Sequence, residues 1–305
     1  MKVFIEKRFI PRQEYESFIS EFSGVEFVHD LSDKEIEVFF GLNQTLIQID
    51  LEEYHRLKWI QLFMAGFDNV DVESIKARGI LVSHARDIFS KTIAEDVISK
   101  ILYFNRDLKT FTEQKQTKTW APIWKEKEIC RSIIGIVGTG SIGKEVAKRC
   151  QAFEPSQVIG YRTKNEPVTY FDRILTGDEG LNELMRVSDY VILAVPLNDQ
   201  TLGMIDQKKI NLMKQDALLV NVSRGKVIVQ SDLVRALEAN QIRGAALDVF
   251  DPEPLPEDSA LWTLDNCFIT PHNASSSEHM VDRLFTLTKR NLNHYLKGET
   301  IEYLL

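Results

Sequence analysis

The feature that most constrains the fold of this 305-residue chain is a glycine-rich loop between an apolar segment and an amphipathic one. The apolar segment Ile133–Val137 is typical of a buried strand, and the motif Gly138-Thr139-Gly140-Ser141-Ile142-Gly143 follows it directly. The residues after the motif, as far as Phe153, place apolar side chains at helical spacing. A strand, a GxGxxG loop and a helix in this order are the fingerprint of a dinucleotide-binding α/β unit.

The three glycines of this loop have different predicted roles. Gly138 permits a tight turn, Gly140 lets a pyrophosphate approach the backbone, and Gly143 lets the helix pack against the strand. The helix would begin at Ser141 and Ile142 and present unpaired N–H groups and a positive dipole end to the phosphates. The alternative interpretation is a glycine turn that binds no ligand.

Short apolar segments alternate with amphipathic ones along most of the chain, which predicts an α/β fold with two sheets. The first predicted series of strands covers residues 3–5, 25–28, 38–41, 59–63 and 80–83. The second covers residues 133–137, 158–161, 190–195, 217–222, 244–249 and 267–270. The second series, with helices between most strands, predicts a Rossmann doubly wound parallel sheet.

Three helical patterns, one of them short, accompany these strands. One helix is predicted from residue 92 to about 114, where it could link two domains. A short helix is predicted over residues 51–57. The last helix, over residues 277–296 and stopped by Gly298, could return to the first domain.

Composition and charge exclude several classes of protein. The chain is 44% apolar and 27% charged, as globular proteins are. A net charge of −8 and a pI near 5.4 argue against a nucleic-acid partner. No apolar stretch reaches the roughly eighteen residues that cross a bilayer, and residues 1–16 lack the apolar run of a signal peptide. We therefore expect a cytoplasmic protein with neither nucleic-acid nor membrane partners.

The cysteines indicate a reducing compartment. Cys130, Cys150 and Cys267 are odd in number, widely spaced and outside any CxxC motif. This pattern is typical of ordinary thiols rather than of a disulfide framework or a zinc site. We expect no metal.

The end of the second strand of the doubly wound sheet bears on the choice of cofactor. NAD enzymes usually carry an acidic residue there, which binds the ribose 2′-hydroxyl. This chain has Tyr161, Arg162, Thr163 and Lys164 instead. Arg162 could pair with a 2′-phosphate, and Thr163 and Lys164 could add donors, which favours NADP(H). The alternative is a solvated arginine, with NAD(H) bound without the acidic contact.

Polar residues follow the later strands of this sheet, at the edge where ligands bind in such folds. The predicted cofactor-binding residues at this edge are Val195, Pro196, Thr201, Val222, Asp248, His272 and Ala274. Arg224 lies at the same edge, where an arginine can hold a carboxylate and polarise a carbonyl, and His272 can give a proton to a new alkoxide. A structural interpretation is also open for the charged residues near this edge. Arg224 could form a structural ion pair, and Glu253, in the turn at 251–254, could simply be solvated.

Four segments of the chain resemble the family of D-isomer-specific 2-hydroxyacid dehydrogenases. They are the GTGSIG loop, NVSRGKVI at 221–228, GAALDVFDPEPLP at 244–256 and TPHNAS at 270–275. The resemblance implies that Arg224, Glu253 and His272 are catalytic, with Arg224 and His272 binding the substrate. It also implies that Glu253 is the partner of His272 and that Asp248 lies near the nicotinamide.

The resemblance extends to the first domain. Residues 64–71, MAGFDNVD, are similar to the family's substrate loop, in which amides near Ala65 and Gly66 hold the substrate carboxylate. The resemblance implies a smaller flavodoxin-like substrate domain, discontinuous over residues 1–99 and 276–305, with the dinucleotide-binding domain at 100–275. It also implies a homodimer joined through the long helix and arm at about 92–127.

The resemblance leaves the substrate open. Arg162 at the place of the usual aspartate makes the chain look most like the glyoxylate/hydroxypyruvate reductase branch. The predicted activity is NAD(P)-dependent interconversion of a small 2-oxo acid and its (D)-2-hydroxy acid. The alternatives are a nucleotide-sensing, corepressor-like binding protein on the same fold, or a dehydrogenase of phosphorylated hydroxy acids. The substrate side chain and the physiological direction stay undetermined.

Overall fold

The protein forms two compact units in a computed structural model that describes residues 1–8, 10–124 and 126–305. One unit is Met1–Phe89 together with Ser277–Leu305, and the other is Ser90–Ser276. Each unit is an α/β structure around a parallel sheet. The predicted fold class, a Rossmann sheet with a smaller flavodoxin-like substrate domain, is confirmed.

Twelve strands and ten α-helices occur within the described residues. In chain order the strands are β1 (Lys2–Ile5), β2 (Glu26–Val28), β3 (Val38–Gly41), β4 (Trp59–Leu62), β5 (Leu81–His84), β6 (Ile133–Val137), β7 (Gln157–Tyr161), β8 (Arg173–Leu175), β9 (Tyr190–Leu193), β10 (Leu218–Asn221), β11 (Gly244–Leu247) and β12 (Cys267–Ile269). The helices are α1 (Arg12–Ser20), α2 (Asn43–Leu46), α3 (Val72–Ala77), α4 (Ser90–Asn105), α5 (Leu108–Thr117), α6 (Ser141–Gln151), α7 (Gly177–Val187), α8 (Gln207–Ile210), α9 (Gln230–Glu238) and α10 (Met280–Lys297).

The first unit has the flavodoxin-like strand order β2-β1-β3-β4-β5, with every pairing parallel. Strands β3 and β4 are buried along their whole length, which is why their sequences are almost continuously apolar. The C-terminal residues complete this unit because α10 packs on α1, with the rings of Phe18 and Phe285 stacked 4.7 Å apart. Residues 303–305 then run along β5, where Ser83 and Leu304 form an antiparallel bridge.

The second unit has seven parallel strands in the order β12-β11-β10-β9-β6-β7-β8. Six of them were predicted, and their bounds lie within two residues of the predicted ones at each end. The prediction missed β8, because this three-residue edge strand is partly exposed and carries no apolar run. The order in which strands are added to the sheet reverses between β6 and β9. In such folds, ligands bind beside the loops that follow the carboxyl ends of the strands around this point.

The predicted single helix over residues 92–114 is wrong. Asp107 adopts φ 47°, in the left-handed region that Asp tolerates better than most residues, and the backbone turns there between α4 and α5. Helix α4 buries Ile93, Val97 and Ile101, whereas α5 buries none of its residues. The apolar spacing therefore predicted the first helix correctly but did not show where it ends.

Two further predictions differ from the structure in extent. The predicted helix over residues 51–57 shortens to a 3₁₀ turn at Leu51–Glu53. The predicted domain boundary at residue 99 falls inside α4, which the structure assigns whole to the second unit, where it packs against α6. The predicted arm at 92–127 includes Lys125, which lies outside the described residues.

All three cysteines are free. Burial raises the pKa of both Cys150 and Cys267 to about 12, so these two thiols stay protonated and unreactive near neutral pH. In the part of the chain that the structure describes, no helix is long and apolar enough to cross a membrane.

Candidate active site

The phosphate loop lies between β6 and α6, and its glycines are required for two different reasons. Gly138 has φ 104°, and a Cβ there would lie 2.4 Å from the Ala194 carbonyl oxygen. A Cβ on Gly143 would lie 2.0 Å from the carbonyl oxygen of Gly138. Gly140 differs, because a Cβ there would meet no protein atom within 4 Å. Folding therefore demands Gly138 and Gly143. Gly140 is the N-cap of α6, a position that glycine suits, and the open space around it leaves room for a dinucleotide pyrophosphate at the start of α6.

The end of β7 lies beside this loop. The Gly138 amide donates to the Tyr161 carbonyl at 3.0 Å, which fixes the loop against β7. Arg162 follows, with its guanidinium 3.7 Å from the Glu166 carboxylate, and both side chains reach solvent. Thr163 is exposed. Because exposed ion pairs are worth only about 0–1 kcal/mol, Arg162 can exchange Glu166 for another anion at small cost. Lys164 is exposed beside them.

The loop after β9 is ordered by Thr201. Its buried hydroxyl donates to the Pro196 carbonyl at 2.6 Å and accepts from the Asn198 amide at 2.9 Å. This side chain therefore shapes the turn that begins at Val195, and its predicted contact with a cofactor remains a prediction.

The loop after β10 presents Arg224 through a compact turn. The Asn221 side chain accepts from the Ser223 amide and hydroxyl at 3.0 and 2.7 Å, and donates to the Arg224 carbonyl at 3.1 Å. Val222 is buried within this turn. A Cβ on Gly225 would lie 1.9 Å from the Phe250 carbonyl, so the loops after β10 and β11 touch backbone to backbone at this glycine.

The buried carboxylate of Asp248 holds the loop after β12. It accepts from the Thr270 hydroxyl at 2.6 Å and from the amides of Asn273 and Ala274 at 3.1 and 3.0 Å. The Asp248 carbonyl also accepts from the His272 amide at 2.8 Å. These bonds maintain His272 at φ 51°, a conformation that non-glycine residues rarely adopt.

His272 and Glu253 form a close pair at this edge of the sheet. The His272 Nδ1 lies 2.7 Å from one Glu253 carboxylate oxygen, and the other oxygen accepts from the Phe250 amide at 2.9 Å. The carboxylate is thus fixed by the backbone before it orients the ring. Because Nδ1 donates to Glu253, Nε2 is the ring nitrogen that can exchange a proton with a substrate. The His272 side chain is 45% exposed, which leaves it accessible.

Gln230 contributes a contact that the sequence did not indicate. Its side-chain carbonyl accepts from the Asp251 amide at 3.2 Å, in the loop that carries Glu253. Gln230 is also the first residue of α9.

The predicted substrate loop at 64–71 lies after β4 in the first unit. Three successive carbonyls of this loop accept hydrogen bonds from other parts of that unit. The Met64 carbonyl accepts from the Ala85 amide, the Ala65 carbonyl from His84 Nδ1, and the Gly66 carbonyl from the Asn43 side chain. Sequence reasoning missed His84 and Asn43, although both stand at or just after strand ends of the first sheet, where the rule used for the second sheet would have found them.

Residues 1–8, 10–124 and 126–305, which the structure describes, contain no candidate metal site. No group of three or more His, Cys, Asp or Glu side chains there could hold a metal ion. The chemical groups that the second unit brings to one edge of its sheet are a phosphate loop, a guanidinium and a carboxylate–imidazole pair.

Comparison with known proteins places this geometry in a family context. The family model of the D-isomer specific 2-hydroxyacid dehydrogenase NAD binding domain matches residues 98–274. A glyoxylate reductase of Pyrococcus horikoshii is 33% identical over 264 residues, which cover 83% of this chain and 78% of that protein.

Two solved structures extend the likeness to the whole chain. A D-isomer specific 2-hydroxyacid dehydrogenase family protein of Aeromonas salmonicida has a TM-score of 0.88 at 25% identity, over 100% of this chain and 98% of that one. An acyclic imino acid reductase in complex with NADPH and D-Arg has a TM-score of 0.84 at 25% identity, over 100% of both chains.

The phosphate loop allows a test that separates folding from ligand binding. Gly143→Ala should destabilise the protein by about 1–3 kcal/mol, because the backbone must move to admit the methyl group. Gly140→Ala, at the N-cap of α6, should lower stability by no more than about 1 kcal/mol and yet weaken NADPH binding. Urea unfolding and NADPH fluorescence titration measure the two effects. Equal destabilisation by both substitutions, or unchanged NADPH binding by Gly140→Ala, would contradict this assignment.

Proposed function

Because this chain belongs to the family of D-isomer-specific 2-hydroxyacid dehydrogenases, we propose that it reduces small 2-oxo acids with His272 as the proton donor. The protein is an NAD(P)-dependent oxidoreductase that interconverts 2-oxo acids and (D)-2-hydroxy acids. The observation that carries the proposal is the 2.7 Å pair of His272 and Glu253, on the same sheet edge as the phosphate loop.

The cofactor would be held by the loop between β6 and α6. Gly140 would admit the pyrophosphate, and the amides at the start of α6 would donate hydrogen bonds to it. A bound nicotinamide supplies the hydride for the carbonyl carbon of the substrate. The chain's own part is to orient the substrate, to polarise its carbonyl and to deliver the proton.

Arg224 is the proposed group that binds and polarises the substrate. A guanidinium can bind a carboxylate by two parallel hydrogen bonds, and it can also stabilise the negative charge that develops on a carbonyl oxygen. The Asn221 turn and the close approach at Gly225 fix the backbone from which this side chain extends. The Arg224 guanidinium itself donates to the Ser223 carbonyl at 2.8 Å, which restrains the side chain.

His272 is the proposed acid in the direction of reduction. Hydride addition leaves negative charge on the substrate oxygen, and a proton must reach that oxygen from Nε2. The Glu253 carboxylate stabilises the positive ring that exists before the proton leaves. In the reverse direction the neutral ring accepts the proton from the hydroxyl group.

Ala65 and Gly66 are proposed, from the first unit by itself, to bind a carboxylate through their backbone amides. The support is the anchoring of the neighbouring carbonyls, which fixes the peptide planes of this loop. The loop needs no charged side chain for this role, since backbone amides bind anions in many folds.

The proton-transfer proposal is tested by replacing His272. His272→Ala should lower kcat by roughly 10²–10⁴-fold, the usual contribution of a general acid, while NADPH still binds. Glu253→Gln should also lower kcat, because an amide can hold the ring but cannot stabilise its charge. Steady-state rates with a panel of glyoxylate, hydroxypyruvate and pyruvate measure both effects.

The matched control for this test is His279, an exposed histidine 3.5 Å from Glu278. His279→Ala should leave kcat unchanged, since it breaks a histidine–glutamate pair in the first unit that has no proposed part in proton transfer. Near-normal turnover by His272→Ala would remove this residue from the mechanism. Absence of turnover by the wild-type protein on every 2-oxo acid would instead favour the corepressor-like alternative.

A preference for NADP(H) over NAD(H) is a second proposal, and it rests on Arg162. Arg162 occupies the place where an acidic residue would repel a 2′-phosphate, and its present partner Glu166 is exposed and easily exchanged. Arg162→Gln should raise the KM for NADPH by about tenfold or more, since hydrogen bonds to charged groups contribute roughly 1.5–3 kcal/mol. The KM for NADH should change little.

Arg173 on β8 supplies the control for this measurement, because it is also an exposed arginine in an ion pair, 2.7 Å from Glu183. Arg173→Gln should leave the ratio of the two KM values unchanged. Equal or better use of NADH by the wild-type protein would refute the preference.

A homodimer joined through α4, α5 and the segment after α5 is a further proposal. Trp120 and Trp124 are 98% and 87% exposed, and Phe111 and Ile123 line a hollow with Trp120. Large apolar side chains at such exposure are typical of surfaces that a partner covers. The proposed occupant is the same segment of a second copy of this chain.

A cytoplasmic location is likewise proposed, supported by the three free thiols.

Replacement of the two tryptophans tests the dimer. Trp120→Ser combined with Trp124→Ser should raise the dimer dissociation constant by at least about 100-fold, because burial of each large apolar side chain contributes about 1.5–3 kcal/mol. Sedimentation velocity over a concentration series measures the change. Trp262→Ser, at another exposed tryptophan, is the control and should leave it unchanged. A monomeric wild-type protein at all concentrations would contradict the proposal.

A further inference from the structure

Three consecutive peptide groups of the substrate loop are fixed through their carbonyl oxygens. The Met64 carbonyl accepts from the Ala85 amide at 3.0 Å. The Ala65 carbonyl accepts from His84 Nδ1 at 2.7 Å, and the Gly66 carbonyl from Asn43 Nδ2 at 2.8 Å. Two of the three donors are side chains, so substitution of His84 or Asn43 removes a donor while the residues of the loop itself stay unchanged.

Fixing a carbonyl also fixes the direction of the next amide. In a planar trans peptide the C=O bond and the following N–H bond point in opposite directions. The bond from His84 to the Ala65 carbonyl therefore aims the Gly66 N–H away from His84. In the same way, the bond to the Met64 carbonyl directs the Ala65 N–H. The amides proposed to bind a carboxylate are thus aimed by groups that do not themselves touch it.

His84 is held as a permanent donor to this loop. A carbonyl can only accept, so Nδ1 carries the proton. The ring lies between Phe67 and Tyr303, with centroid distances of 5.2 and 6.4 Å, and its own backbone amide donates to the Tyr303 carbonyl at 3.3 Å. Burial lowers the pKa of His84 although the bond to the Ala65 carbonyl opposes this shift, so the neutral ring predominates near neutral pH.

We propose that His84 is a positioning residue for substrate binding, which aims the Gly66 amide at the substrate carboxylate by holding the Ala65 carbonyl. This inference rests on the proposed function, because it takes Ala65 and Gly66 as the carboxylate-binding amides. His84 takes no part in proton transfer in this scheme. Its effect reaches the substrate only through the orientation of one peptide group.

The role predicts an effect on KM rather than on kcat. A carboxylate contact is equally strong before and during the reaction, so its loss weakens substrate binding without slowing the bound complex. His84→Leu should raise the KM for the 2-oxo acid by roughly three- to tenfold, as expected for one hydrogen bond. The kcat and the KM for NADPH should stay near their wild-type values.

Conservative variants distinguish positioning from simple packing. The side-chain amide nitrogen of asparagine can take the place of His84 Nδ1, so His84→Asn should restore the wild-type KM. His84→Asp presents an acceptor to the Ala65 carbonyl and should raise the KM at least as much as leucine does. The Asn and Asp variants have almost the same size, so their comparison decides the point if His84→Leu fails to fold.

His29 provides a matched control in the same unit. Its Nδ1 lies 2.9 Å from the Ile5 carbonyl, its Nε2 lies 2.8 Å from the Tyr15 hydroxyl, and burial also lowers its pKa. His29→Leu removes an equivalent histidine–carbonyl bond away from residues 64–71. It should change thermal stability without changing either KM.

Binding of oxamate, an unreactive amide analogue of glyoxylate, tests the inference apart from turnover. Calorimetric titration of the NADPH complex should show weaker oxamate binding by His84→Leu or His84→Asp and normal binding by His84→Asn. Unchanged oxamate affinity and unchanged KM in His84→Asp would overturn the positioning role. A wild-type protein whose oxamate affinity depends on His84 but which reduces no 2-oxo acid would contradict only the proposed reaction. A wild-type protein that binds no oxamate would overturn both.

Discussion

The buried carboxylate of Asp248 is the constraint on which the site of the second unit depends. A carboxylate that is 2% exposed is tolerated only when donors surround it, and three groups of the loop after β12 provide them. These donors come from residues on both sides of His272, so satisfying the buried carboxylate also fixes the left-handed backbone of that residue. Stability and the placement of the proposed acid thus depend on the same hydrogen bonds.

A buried pair of a lysine and an aspartate lies in the same unit, on α4. Lys100 is fully buried and bonds to Asp96 one helical turn before it. Burial raises the pKa of the Asp96 carboxyl, the Lys100 ammonium opposes that rise, and the charge of Asp248 adds to it. The buried ammonium therefore offsets part of the negative charge that the carboxylates bring to this unit. Such a pair costs desolvation energy and persists because removal of either partner would leave a lone buried charge.

The sequence predicted the second sheet well because parallel strands are buried on both faces and are therefore short, continuous apolar runs. It predicted the phosphate loop for a related reason, since Gly138 and Gly143 are fixed by backbone contacts that recur wherever a strand, a tight turn and a helix pack together. The sequence did not predict edge strand β8, because this strand lacks an apolar run. It did not predict the end of α4 either, because that end depends on a single backbone conformation, the one at Asp107.

Contacts between segments distant in the sequence were beyond prediction. Nothing near Gly225 in the sequence shows that it lies against Phe250, and nothing near His84 shows that it bonds to the Ala65 carbonyl. The pairing of His272 with Glu253 was anticipated only through the family resemblance, and the structure adds the Phe250 amide that fixes the carboxylate. Residue type and spacing indicate which groups can do chemistry, whereas the three-dimensional contacts decide how each is oriented.

The two histidines illustrate how environment separates the roles of one side chain. Both use Nδ1 as a donor, but His272 faces a carboxylate and His84 faces a neutral carbonyl. A carboxylate stabilises a ring that gains and loses positive charge, as a proton donor must. The His84 ring is instead kept neutral by burial, and its bond to the carbonyl persists at every step. The same imidazole thus suits proton transfer at one position and fixed orientation at the other, and the acceptor at Nδ1 together with the burial of the ring distinguishes them.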